Sequence, residues 1–137
     1  MTGTTVVDTG PLVAFLNRGD AHHAWARAQM ERLEPPLITC EAVLAEACHH
    51  QRRPPEGVPA LLEMVDRGLI SVAFRLDEHV RRVRELLRRY ADVPMSLADA
   101  CLVRMSEVAP GALLFTLDGD FRVYRRLGRQ TIPLIIP

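Results

Sequence analysis

The stretch Thr4-Thr5-Val6-Val7-Asp8-Thr9-Gly10-Pro11 sets the pattern for the whole chain. Thr4–Val7 are all β-branched and end in two valines, which favours a short buried strand. Proline is tolerated in a first helical turn, so a helix is expected from about Pro11 to Leu16. Asp8 falls at the junction, an acid directly behind an apolar strand. The same strand-then-helix punctuation continues outward. Ala21–Leu33 reads as a helix with Asp20 as a possible cap, and Glu34-Pro35-Pro36 ends it. Leu37–Thr39 reads as a strand, Glu41–His50 as a helix stopped by Arg53-Pro54-Pro55, and Pro59–Arg67 as a helix closed by Gly68. Leu69–Phe74 is a strand. Glu78–Tyr90 is amphipathic, with Val80, Val83, Leu86, Leu87 and Tyr90 on one face and arginines on the other. Ser96–Val108 is a helix, Ala112–Thr116 a strand, Asp120–Leu127 a helix ended by Gly128, and Ile132–Ile135 a last strand. The strands are continuously apolar rather than alternating, as in a parallel sheet covered on both faces. The expected fold is one three-layer α/β/α domain over residues 1–137, with a mainly parallel sheet of about five strands.

The bulk numbers agree. A chain of 137 residues is the size of one domain and buries a core without disulfide or metal staples. Its 48% hydrophobic content excludes a disordered chain. No apolar run approaches a bilayer span, and Met1–Thr5 lacks the basic-then-apolar pattern of a signal peptide. Cys40, Cys48 and Cys101 are odd in number, form no CxxC and sit in apolar surroundings, so they read as reduced core thiols of a cytoplasmic protein. The formal net charge is zero. All 17 basic residues are arginine, which excludes any mechanism that needs a catalytic lysine.

Four acids sit where an acid is costly. Asp8 and Asp118 each follow the apolar core of a strand, and in an open parallel sheet ligands bind at the carboxyl ends of the strands. Glu46 lies in Ala42-Val43-Leu44-Ala45-Glu46-Ala47-Cys48 and Asp99 in Leu97-Ala98-Asp99-Ala100-Cys101-Leu102-Val103. Both helical segments are apolar all round, so each acid is expected to face protein or a cleft. Each acid also has a structural reading. Asp8 and Asp118 suit helix caps, Ser96-Leu97-Ala98-Asp99 fits a capping box, and Glu46 could pair with an arginine. Jointly they say more: four converging carboxylates repel one another, and burial raises their pKa values. A divalent cation relieves that cost. Carboxylate oxygens without His/Cys spacing select Mg²⁺ or Mn²⁺ over Zn²⁺, a site suited to hydrolysis of phosphate esters.

Four segments in order carry a resemblance: Val6-Val7-Asp8-Thr9-Gly10-Pro11-Leu12, Val43-Leu44-Ala45-Glu46-Ala47, Pro94-Met95-Ser96-Leu97-Ala98-Asp99-Ala100 and Leu117-Asp118-Gly119-Asp120-Phe121. The chain resembles the PIN-domain family, particularly the VapC-type toxin ribonucleases of bacterial type II toxin–antitoxin pairs, nearly end to end. The resemblance implies a parallel sheet with helices around it and Mg²⁺- or Mn²⁺-dependent cleavage of single-stranded RNA by activated water. It also implies a homodimer and, for a toxin, inhibition by a cognate antitoxin protein. Carried over by position, Asp8, Glu46, Asp99 and Asp118 match the family's acidic catalytic and metal site. Asp120 matches an outer acid, and Thr9 and Thr116 match hydroxyls that orient the acids.

Arg122, Arg125, Arg126 and Arg129 are expected to point outward, with Phe121, Tyr124 and Leu127 buried, either to grip RNA phosphates or to form a plain solvated surface. Arg52 and Arg53 are weaker candidates. Arg81, Arg84 and Arg88 read instead as a solvated face, with Asp77–Arg81, Glu78–Arg82 and Glu85–Arg89 at four-residue spacing. His22-His23 and His49-His50 are adjacent pairs that point apart on a helix and form no zinc face. Trp25 reads as a core anchor of its helix. A receiver domain would need paired acids and a lysine, and a dehalogenase-type phosphatase an acid at position 10, where Gly10 stands. A housekeeping RNA-processing nuclease and a non-catalytic RNA- or protein-binding module remain as alternatives.

Overall fold

The structure, a computed structural model, describes residues 3–137. Met1 and Thr2, part of the segment expected to be no signal peptide, lie outside them. Along the chain run β1 (Thr5–Val7), α1 (Thr9–Leu16), α2 (His23–Arg32), β2 (Leu37–Thr39), α3 (Glu41–His50), α4 (Gly57–Asp66) and β3 (Ile70–Val72). Then come α5 (Val80–Arg89), α6 (Leu97–Val108), β4 (Leu113–Phe115), β5 (Arg125–Arg126), β6 (Gln130–Thr131) and β7 (Leu134–Ile135). The expected three-layer arrangement is present. Five strands form one sheet in the order β3-β2-β1-β4-β7, every pairing parallel, between layers of helix.

The strand order positions the site. The chain winds from β1 outward through β2 to β3, then returns to β4 on the other side of β1. The winding reverses between β1 and β4, and in open α/β sheets such a switch point, at the carboxyl ends of the strands, is where ligands bind. β1 is buried along its whole length, and Leu114 and Phe115 of β4 are fully buried beside it, which explains the unbroken apolar runs. α6 packs on β1 and β4, while α1 packs against α2 and α3. Trp25 of α2 meets Phe115 edge-on at 5.5 Å, the anchoring expected of it.

Two expectations fail locally. Asp120–Leu127 is not a helix. A 3-10 turn covers Gly119–Arg122, after which β5 and β6 pair as an antiparallel hairpin. Leu127 and Gly128 take left-handed φ values of 50° and 84° in the hairpin loop, and Leu127 is exposed rather than buried. Glycine permits that turn without a Cβ clash. The second failure is in α5, which starts at Val80 after a separate 3-10 turn at Leu76–Glu78, and leaves Val80 exposed.

Candidate active site

Asp8 ends β1 and begins α1. Its amide still donates to the Phe115 carbonyl at 3.0 Å, prolonging the β1–β4 ladder, so the sheet fixes its backbone. Its carboxylate is held twice: Oδ1 accepts from the Thr9 amide at 2.7 Å and Oδ2 from the Thr116 hydroxyl at 2.7 Å. The residue is only 7% exposed. Burial pushes its pKa from the ordinary 3.8 up to about 6. The Thr116 and Thr9 hydrogen bonds oppose this rise, and the charges of Asp99 and Asp118 add to it.

Thr116 is fully buried behind β4 and joins two acids: it donates to Asp8 and accepts from the Asp118 amide at 2.9 Å. Asp118 Oδ1 then accepts from the Asp120 amide at 2.9 Å and caps the 3-10 turn. Asp99 comes in from α6. Ser96 and Asp99 form the anticipated capping box, with the Ser96 amide donating to Asp99 Oδ2 at 3.1 Å and the Asp99 amide to Ser96 Oγ at 3.0 Å. Burial raises the Asp99 pKa, the Ser96 and Tyr124 hydrogen bonds oppose it, and the Asp118 charge adds to the rise.

Three of the four acids thus sit within electrostatic reach of one another at the switch point of the sheet. Glu46 joins by a different route. Its Oε2 accepts from the Thr9 hydroxyl at 3.0 Å, so Thr9 bridges the Glu46 and Asp8 branches. Of the two settings expected for it, protein or a cleft, Glu46 does not take the first: it is exposed. It lines an opening shared with Thr9 and Leu117, and so faces a cleft without being buried. Among the described residues, none of these acids is paired with an arginine; the ion pairs engage Glu31, Asp77, Glu85 and Glu107 instead.

Sequence reasoning missed Tyr124. It is fully buried, and its hydroxyl donates to Asp99 Oδ2 at 3.2 Å. The available signal was general: a buried tyrosine must find a polar partner for its hydroxyl. Arg126 departs from expectation in the other direction. It is 9% exposed and its guanidinium donates to the carbonyls of Ser106 and Pro110, so it closes the end of α6 rather than pointing outward. Arg125 folds back onto the carbonyls of Arg122, Val123 and Tyr124. Arg122 and Arg129 are exposed as expected.

A PIN-domain family model matches residues 5–127. The chain belongs to the PIN-domain family. Among solved structures it is similar to Mycobacterium tuberculosis VapC20, a toxin that cleaves the sarcin–ricin loop. The two share 22% identity and a TM-score of 0.78 over 88% of this chain and 94% of that one. No curated protein sequence matches. The donor set of this PIN domain suits a hard divalent cation. It is made of carboxylates, Asp8 is perturbed first by burial and then by its acidic neighbours, and neither Asp99 Oδ1 nor Asp118 Oδ2 accepts a hydrogen bond from any described residue. Among the described residues no three acids, histidines or cysteines stand close enough to grip one ion by themselves. Mg²⁺ is usually held by one or two carboxylates and keeps several waters, so such a spread remains compatible with it.

Proposed function

We propose that this PIN domain is a Mg²⁺- or Mn²⁺-dependent endoribonuclease that cuts single-stranded RNA, and the toxin of a toxin–antitoxin pair. The observation that carries this is the buried Asp8 carboxylate, pushed up to about 6 and further strained by Asp99 and Asp118. A structural acid is normally given a cation or enough donors to stay comfortably ionised. Asp8 is given two hydrogen bonds and two like charges instead. Family membership and the fold shared with VapC20 support the toxin assignment.

In this reading one or two of Asp8, Asp99 and Asp118 would bind the cation directly and the rest through its waters, with Glu46 approaching from α3. A divalent ion bound there supplies a lowered pKa for water and a counter-charge for the phosphate. Thr116 and Thr9 fix the carboxylate orientations, Tyr124 and Ser96 hold Asp99 by one oxygen, and Asp120 lies in the outer ring. The acids also repel stray anions, so an RNA phosphate enters only when its charge is compensated.

The test is Asp99→Asn. Asparagine retains an oxygen to accept the Ser96 amide, so α6 keeps its cap. Cleavage of a single-stranded RNA in Mn²⁺ should fall by at least about a hundredfold, with unchanged circular dichroism. Cleavage by the variant at the parent rate, or equal cleavage by the parent in excess EDTA, refutes the assignment.

A further inference from the structure

The acid cluster raises a problem that its own residues do not solve. RNA is a polyanion, and the cleft that must receive it carries Asp8, Glu46, Asp99, Asp118 and Asp120. Of the arginines near it in sequence, Arg126 is buried under α6 and Arg125 is folded onto its own backbone. Arg122 and Arg129 stay exposed, but a denser cationic surface lies elsewhere.

It lies on α5. Arg81, Arg84, Arg88 and Arg89 are all exposed. The four-residue pairings expected to neutralise this helix do not form. Asp77 pairs with Arg75, Glu85 pairs with Arg82, and Glu107 binds Arg82 and Arg104. Among the described residues, no acid forms an ion pair with Arg81, Arg84, Arg88 or Arg89. Positions 81, 84 and 88 fall on one helical face spanning about 10 Å, at about 1.5 Å per residue. They frame a shallow hollow of about 230 Å³ whose remaining lining residue is Glu85. No apolar side chain lines that hollow, whereas protein interfaces have an apolar centre. Guanidinium groups match phosphate oxygens in bidentate geometry.

The helix also leads to the acids. At its end, Arg89 sits over the Tyr90 ring at 5.2 Å, and the Tyr90 hydroxyl accepts from the Arg125 amide at 2.8 Å. Tyr90 packs edge-on against Tyr124 at 5.0 Å, and the Tyr124 hydroxyl bonds Asp99.

We propose that Arg81, Arg84 and Arg88 form a phosphate track that binds the backbone of single-stranded RNA and delivers it to the acidic cleft. This rests on the ribonuclease reading above and names the surface that reading lacks. The track contacts phosphates, so it adds affinity without base preference.

The experiment compares the triple variant Arg81→Gln/Arg84→Gln/Arg88→Gln with its parent, both in an Asp99→Asn background so that the RNA stays intact. Binding of a fluorescent single-stranded RNA is measured in Mn²⁺ across a salt series. Each phosphate contact on a single strand contributes about −0.7 to the slope of log affinity against log salt, so losing three makes the slope shallower by about 2. The parent should then lose about twentyfold more affinity than the variant between about 50 and 200 mM salt. Equal slopes, or no RNA binding by the parent, overturn the proposal. So does equal RNA binding by both when only the parent holds polyglutamate, because the track then serves an acidic protein. Equal slopes with cleavage by the otherwise native chain remove the track and leave the nuclease. Arginine-dependent binding without any cleavage removes the nuclease and leaves the track.

Discussion

Replacing Asp8 by asparagine should stabilise the metal-free protein. The carboxylate is buried, and its pKa stands at about 6 against an ordinary 3.8. Because the folded value is raised, the folded state binds the proton more tightly than the unfolded chain between those two limits. Stability is therefore lost as pH rises from below 3.8 through about 6, and the full cost is present above that window. At 1.36 kcal/mol per tenfold in proton affinity, the cost at about pH 8 is about 3 kcal/mol. Asparagine carries no charge and pays none of it. Its oxygen can still accept from the Thr9 amide, but its nitrogen cannot accept from the Thr116 hydroxyl, which must turn to accept instead. An imperfect hydrogen bond there gives back about 1 kcal/mol. The net gain at about pH 8 is about 2 kcal/mol, or about 6 °C in melting temperature for a chain of this size. Thermal unfolding in EDTA at about pH 8 and again near pH 4 measures it. Near pH 4, where Asp8 is already protonated in the parent, the charge cost falls to about 0.5 kcal/mol, so the gain should vanish or turn into a loss of a few tenths of a kcal/mol. Adding Mn²⁺ should stabilise the parent and not the variant, by linkage. An asparagine variant no more stable than the parent at about pH 8, or a gain that persists at low pH, would show that Asp8 is not under electrostatic strain.

Two further substitutions test other parts of the molecule. Glu107→Gln should destabilise it by about 2 kcal/mol at neutral pH, measured by urea unfolding, because Arg82, Arg104 and the Leu127 amide all converge on this side chain, which is 1% exposed. Burial alone would raise the Glu107 pKa, yet these partners outweigh it and hold the value below normal, so its contribution should vanish as pH falls below the ordinary glutamate value of 4.5, opposite in sign to Asp8. Gly57→Ala should cost about 3 kcal/mol or more by the same assay, since a Cβ would lie 2.1 Å from the Gln51 carbonyl oxygen, a backbone atom that cannot step aside; a variant within 1 kcal/mol of the parent, on the order of an ordinary surface change, would contradict that contact.

The sheet was legible because buried parallel strands are apolar throughout, and every α-helix is followed within a few residues by proline or glycine. Asp8 and Asp118 were legible by their place directly behind such strands, although that place also suits the caps they form. The hairpin of β5 and β6 was not. Phe121 and Tyr124 are three apart, which suits a helix, and strands of two residues carry no periodicity to oppose it. That error also sent Arg126 outward, when its guanidinium in fact closes α6. The α5 arginines were assigned to neighbours by spacing alone. The structure shows that Glu107, from a distant helix, and Glu85 draw Arg82, and the remaining arginines keep their charge for solvent or ligand. Tertiary ion pairing of this kind leaves no trace in local spacing.

The structural and chemical accounts of the acids do not compete. Asp8 caps α1, Asp99 closes the capping box of α6 whose N-cap is Ser96, and Asp118 caps the 3-10 turn, each through hydrogen bonds from backbone amides. Two α-helices thus begin at the cluster, and their positive ends partly offset its charge. That is how three acids can share a cleft without unfolding it. Burial, with smaller contributions from the Asp99 and Asp118 charges, still carries Asp8 up to about 6. Asp99 and Asp118 each give one oxygen to a cap and keep the other free of described partners, so the residues that anchor the helix starts also keep an oxygen for a ligand. The capping function survives in asparagine, which retains the acceptor, and is lost in alanine at a cost of about 1 kcal/mol. Charge is lost in both. An activity that disappears equally in Asp99→Asn and Asp99→Ala, with only the alanine variant destabilised, would assign chemistry to the charge and architecture to the cap. An asparagine variant that retains activity would leave Asp99 with its cap alone.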